Sequence, residues 1–217
     1  AADVTVGHII YDHGDDQMRF GTGGAGRAIM TTNGLLYKNG ASSTPAFSFI
    51  CDTDLGMWRE SANTLVFTAG NSADVLRLSG CKAYIGNEDA NCNLTRGLTI
   101  SQKEHDNEIF ALKSSDVQHD ITNYTETDTY FEIKKFAATS GGAYLRGYKD
   151  ADGLASAALA LHGFLGEAAN TTKSTCGHGI VHVDTLVRSG AGGATPGADS
   201  NLFSIAGNNS VRHVFDV

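Results

Sequence analysis

The chain has little proline, a single tryptophan, no long apolar run and no excess of positive charge. Two prolines in 217 residues fall far below the usual roughly 5%, so proline is not what punctuates this chain. No apolar stretch approaches the roughly 20 residues of a bilayer-spanning helix. No basic segment leads into an apolar one at the start, which excludes an uncleaved signal peptide. Sixteen Lys and Arg stand against 24 Asp and Glu, for a net charge of −8. That balance lacks the basic patch that would neutralise phosphates, and it argues against a nucleic-acid partner. Cys51, Cys81, Cys92 and Cys176 contain no C-x-x-C pair, hence neither a zinc ribbon nor a redox couple. They read as buried small hydrophobes and free thiols of a reducing compartment.

Catalytic signatures are also missing. Twenty-four carboxylates and eight histidines allow many imagined triads, but no G-x-S-x-G elbow occurs. The glycine-rich Gly21-Thr22-Gly23-Gly24-Ala25-Gly26 is not followed by the Lys-Ser/Thr of a phosphate loop, so its glycines serve tight turns. No carboxylate pair stands out for glycoside hydrolysis. The sequence nominates no catalytic, cofactor or metal residue, and the chain reads as non-enzymatic.

What is present is glycine, 26 residues of it, and enough apolar side chains, 41%, for a core. The length suits one domain or two small ones. Short apolar stretches rich in β-branched and aromatic residues recur at Val4–Tyr11, Arg27–Thr31, Leu65–Thr68, Val75–Leu78 and Glu108–Leu112. Between them lie Asn33-Gly34, Asn39-Gly40, Gly86-Asn87, Asp152-Gly153 and Gly207-Asn208. This is the pattern of strands joined by turns that need left-handed backbone angles. Apolar–polar alternation marks Tyr130–Lys134 and Ile180–Val187 as half-buried antiparallel strands. Leu154–Ala169 is the best helix candidate by propensity, yet Gly163 and Gly166 interrupt it, and a bulged strand fits nearly as well.

The chain also repeats itself. Phe20-x-x-Gly23, Ile29-Met30, Gly34 and Gly40 align with Phe67-x-x-Gly70, Val75-Leu76, Gly80 and Gly86. A third start appears at Ala206-Gly207-Asn208 with Val211–Phe215 and stops at Val217. The missing initial Met and this mid-phrase stop read as a processed chain or a segment of a longer one. Units this short have little core of their own, so their apolar faces are expected to be buried against copies of the same chain.

The stretch Pro45–Arg59 (PAFSFICDTDLGMWR) followed by Asn63–Gly70 (NTLVFTAG) resembles a phrase of bacteriophage tail-fibre and related virion appendage proteins, P-x-[FY]-[ST]-F-x-x-D-x-D-[TL]-G-[MI]-[YW]-R…N-x-L-x-[FL]-x-x-G. Residues 45–86 carry the likeness. It departs at Trp58, where Tyr is commoner, and at Ile50-Cys51, where small residues are usual. Leu112–Val117, Thr125–Tyr130 and Asn201–Phe203 are similar to phage structural proteins known from environmental sequence.

The resemblance implies a homotrimeric, all-β virion component built from short antiparallel strands and hairpins. Residues 1–45 would be an extended strand-exchange or attachment segment and 46–95 an intertwined fibre-like repeat region. Residues 96–217 would form a β-sandwich or jelly-roll-like domain. The expected role is structural, as a fibre, spike or capsid decoration, in a particle assembled in the bacterial cytoplasm. Its partners would be its own copies, other virion proteins and host-surface glycans, with no membrane or nucleic acid. The alternative is a carbohydrate-binding module using Trp58, Tyr124 and Tyr130 as stacking platforms; against it, Trp58 reads first as intersubunit core.

Three further groups have a chemical and a plainer reading. Asp52-Thr53-Asp54 offers oxygens to Ca²⁺ but lacks the remaining loop ligands, and reads as a turn with Asp side chains on backbone amides. Cys176, His178, His182 and Asp184 share parity, so one strand would place them on one face as zinc-type donors. On a strand, however, His178 and His182 lie about 13 Å apart, and a polar outer face is the simpler reading. N-x-[ST] triplets at Asn93, Asn123, Asn170 and Asn209 matter only in a protein secreted from a eukaryote.

Overall fold

Hydrogen-bonded ladders between neighbours in sequence make up nearly all the regular structure. The computed structural model describes residues 6–70, 74–151, 157–175 and 177–216, which form an all-β chain with no helix among the described residues. It divides into two units, one up to Ser156 and the other from Ala157 onward.

In the first unit, β1 (Gly7–Asp12), β2 (Gln17–Thr22), β3 (Ala25–Thr31) and β4 (Gly34–Tyr37) make a four-stranded antiparallel meander. β5 (Gly40–Ala41) and β6 (Thr44–Pro45) form a small ladder. A six-stranded sheet follows: β7 (Phe47–Phe49), β8 (Asp52–Ser61), β9 (Thr64–Ala69), β10 (Asp74–Ser79), β11 (Lys82–Ile85) and β12 (Gly97–Ile100). Its strands are antiparallel except β11 and β12, which run parallel. β13 (Phe110–Lys113), β14 (Thr129–Ala137) and β15 (Gly141–Gly147) complete the unit as an antiparallel three-stranded sheet. The second unit holds two hairpins, β16 (Val187–Ser189) with β17 (Gly192–Ala194) and β18 (Asn201–Gly207) with β19 (Ser210–Asp216).

The internal repeat is a structural unit. Phe20 and Phe67 lie on β2 and β9, Ile29-Met30 and Val75-Leu76 on β3 and β10, and the following strands are β4 and β11. Each copy is therefore a run of three consecutive antiparallel strands. The glycine that closes each copy has left-handed backbone, Gly40 at φ 72° and Gly86 at φ 90°. At Gly86 a side chain is doubly excluded, because a Cβ would lie 1.8 Å from the Ser101 carbonyl oxygen.

Several expectations are corrected. Ile180–Leu186 forms no strand; regular pairing begins only at Val187. Alternation supplies the side-chain pattern of a strand, but the ladder requires a partner chain segment, and none is paired to it here. Residues 157–169 are neither helix nor strand, while 154–156, like the Asp152-Gly153 turn, lie outside the described residues. Cys51, Cys81 and Cys92 are free and exposed rather than buried, because each sits in or beside a turn. Cys176 lies outside the described residues.

Very little of the apolar content is buried. Val66, Tyr84 and Tyr148 are the buried hydrophobic residues among those described, whereas Ile9, Phe49, Phe136, Leu145 and Phe215 are among many large ones exposed. Two separately compact bodies of these sizes would expose about 11,000 Å² by mass scaling. The chain exposes 16263 Å².

Candidate functional site

The registers explain what that exposed surface is. Along β9, Thr64, Val66 and Thr68 are buried while the alternate residues are more open, as strand periodicity demands. The buried face is largely polar. The Thr64 and Ser79 hydroxyls lie 3.1 Å apart, and the Thr68 hydroxyl donates to the Asp54 carbonyl at 3.0 Å. Arg77 pairs with Glu60 and with Asp74.

The opposite face is apolar and open. Phe47 pairs with Met57, Met57 with Phe67, Phe67 with Leu76, Leu76 with Ile85, and Ile85 with Ile100. One apolar row thus crosses all six strands. At its β7–β9 end, with Phe49, Leu55 and Ala69, it lines an open groove of about 640 Å³. The four-stranded sheet carries the same device as Tyr11, Met18, Met30 and Leu35, all more than a third exposed. In the three-stranded sheet it is Phe110, Ile133 and Leu145. The C-terminal hairpin pairs Phe203 with Phe215, ring centroids 5.8 Å apart.

A second feature is a buried polar network on β14 and β15. Glu132 is fully buried, and its Oε1 accepts from Arg146 Nη1 at 3.1 Å and from the Tyr148 hydroxyl at 3.0 Å. Burial, followed by the hydrogen bond to Glu132, pushes the Tyr148 hydroxyl up from its ordinary value. The buried His119 ring stacks on Tyr148 at 5.1 Å, donates from Nε2 to the Thr129 carbonyl and accepts the Ile121 amide at Nδ1. Glu108 flanks the network; the nearby Thr125 hydroxyl is the main cause that holds its carboxyl below the ordinary range. With one role on each His119 nitrogen and both Glu132 donors fixed, this network holds the 114–128 loop against the sheet. Sequence reasoning missed it. The one available signal was Glu132 within the alternating Tyr130–Lys134 stretch.

The residues singled out in the sequence are scattered. Asp52-Thr53-Asp54 opens β8 rather than forming a turn; the turn is Ile50-Cys51, because Phe49 pairs with Asp52. His178 and His182 are in edge contact, ring centroids 4.5 Å apart, not separated by 13 Å, because the segment is not a strand. Among the described residues, no three His, Cys, Asp or Glu side chains are grouped as a metal site. Gly23 and Gly24 form the β2–β3 turn. Trp58 is half-buried on β8, opposite Val66. Tyr124 lies in a turn with the Arg146 guanidinium 5.2 Å from its ring centroid, and Tyr130 is on β14, so the three platforms do not share one sheet. Asn209 sits in the β18–β19 turn at φ 59°, and the Asn170 side chain accepts the Thr172 amide. Asn93 and Asn123 lie in loops. Among the described residues no helix is long and apolar enough to cross a membrane.

Comparison with known protein families, with curated proteins and with solved structures returns no match.

Proposed function

We propose that the protein is a non-enzymatic structural component of a phage virion, a fibre, spike or capsid decoration, that works as a homotrimer. One observation carries the self-associating part of this reading: an apolar row crosses sheet after sheet on a face the chain leaves open. Isolated exposed apolar residues are ordinary, but contiguous rows on regular sheets mark interaction surfaces. The surplus over compact bodies, about 5,000 Å², greatly exceeds the roughly 800 Å² per partner of a standard contact. It suits an obligate assembly in which the core lies between chains. Copies of the same chain are the economical occupant, because repeated rows on repeated meanders match one another under rotational symmetry. The trimer and the virion setting rest on the fibre-like phrase at residues 45–86. Other virion proteins would then adjoin the assembly, and its outward loops would meet host-surface glycans.

Light scattering on the purified chain tests the reading. The expected mass is about three times 22.8 kDa; a stable monomer at micromolar concentration would overturn it.

A further inference from the structure

Residues 157–175 and 177–186 present a different problem from the sheets, since among these described residues no strand ladder forms. Between described residues this stretch makes a single backbone–backbone hydrogen bond, from the Gly177 amide to the Ser174 carbonyl at 2.9 Å. Stretches longer than about 12–15 residues without secondary structure are uncommon in folded domains. None of its described residues has a positive φ, and although Gly163 lies against Ile180 and Val181, no backbone hydrogen bond joins these two parts of the stretch.

Composition excludes a solvated linker. Glu167, Lys173 and Asp184 are its only charged residues, while Leu161, Phe164, Val181, Val183 and Leu186 are all more than half exposed, Phe164 at 91%. Chains that remain unpaired in water are polar and charged. Ile180–Val187 moreover has the alternation of a strand that would continue directly into β16. The sequence encodes a strand for which a single chain supplies no ladder.

We infer that this stretch supplies the interlocking strand of the assembly, with Ile180–Leu186 extending β16 by pairing with another copy of the same chain. The inference rests on the self-association proposed above. Charge favours this occupant: the stretch carries a net −1 of the chain's −8, so copies meet here with little like-charge repulsion. In such a strand Ile180, His182, Asp184 and Leu186 occupy one face and Val181, Val183, Thr185 and Val187 the other. The second face is uniformly β-branched and suited to burial between chains.

Hydrogen-exchange mass spectrometry on the assembled full-length chain is the test. Amides of 180–187 are expected to exchange about a hundredfold or more slower than unprotected ones. Val183→Pro, which removes a ladder donor, is expected to abolish that protection and lower the particle mass, while β8–β10 and β14–β15 stay protected and report an intact fold. If Val183→Pro also unfolds those sheets, wild-type exchange decides alone. Unprotected 180–187 in a particle of trimer mass would overturn this inference and leave the self-association reading standing. A monomeric wild-type mass would overturn both.

Discussion

Glu132 carries the highest local stakes of any single side chain, because a fully buried carboxylate is costly unless it is hydrogen-bonded and paired. Arg146 and Tyr148 bond its Oε1 while the buried Oε2 makes no hydrogen bond, and Arg146 is itself held over the Tyr144 ring at 3.9 Å. Glu108, at the rim, gives this network a pH dependence of known sign. Its folded-state pKa lies below the ordinary glutamate value, chiefly through the nearby Thr125 hydroxyl. Its contribution to stability is therefore complete above about pH 4.3 and lost as pH falls through the lowered folded value. Glu108→Gln should flatten the acid limb of a melting-temperature profile below that pH and leave neutral behaviour nearly unchanged. An acid limb identical to wild type would deny Glu108 this role. None of this was legible in the sequence, where Glu132 is one polar residue in an alternating stretch and its partner Arg146 lies on the next strand.

Among the elements, turns were the most legible and strand faces the least. Gly40, Gly86 and the Gly23-Gly24 pair announce left-handed backbone directly, since few other residues tolerate it. Strands β3, β9 and β10 follow from their β-branched content. Which face a strand buries is a different matter, because alternation gives two faces without saying which one the chain covers. On β9 the chain covers the threonines and leaves Phe67 in the open row, a choice that makes sense only with a partner. The overestimated strand at Ile180–Val187 and the unforeseen parallel β11–β12 pair have a similar cause: local alternation says neither whether a partner strand is present nor in which direction it runs. Phe67→Asp should leave the β8–β10 ladder intact by hydrogen exchange. It should weaken self-association by about a hundredfold or more, because an unpaired charge in an apolar contact costs about 3 kcal/mol. Sedimentation across a concentration series would read this, and an unchanged dissociation constant would remove the row from the interface.

At the scale of the molecule, the ladders among the described residues all join strands adjacent in sequence, the parallel β11–β12 pair included. For an all-β chain this keeps the loops that must close short, and short closures are fast. Hairpins form in about 1–10 μs, whereas subunit assembly takes milliseconds to minutes and depends on concentration. Refolding from denaturant should therefore divide into a rapid phase, independent of protein concentration, and a slow one whose rate rises with it. Stopped-flow circular dichroism at several dilutions would separate the two; a single concentration-independent phase would mean that the sheets close within one chain. The neighbour-to-neighbour topology thus has a temporal meaning. A newly made chain can complete its local pairings before it meets another, and its apolar rows stay in water for as long as that encounter takes. That waiting time makes dilution and chaperone supply, more than intrinsic folding speed, the factors that decide between assembly and aggregation.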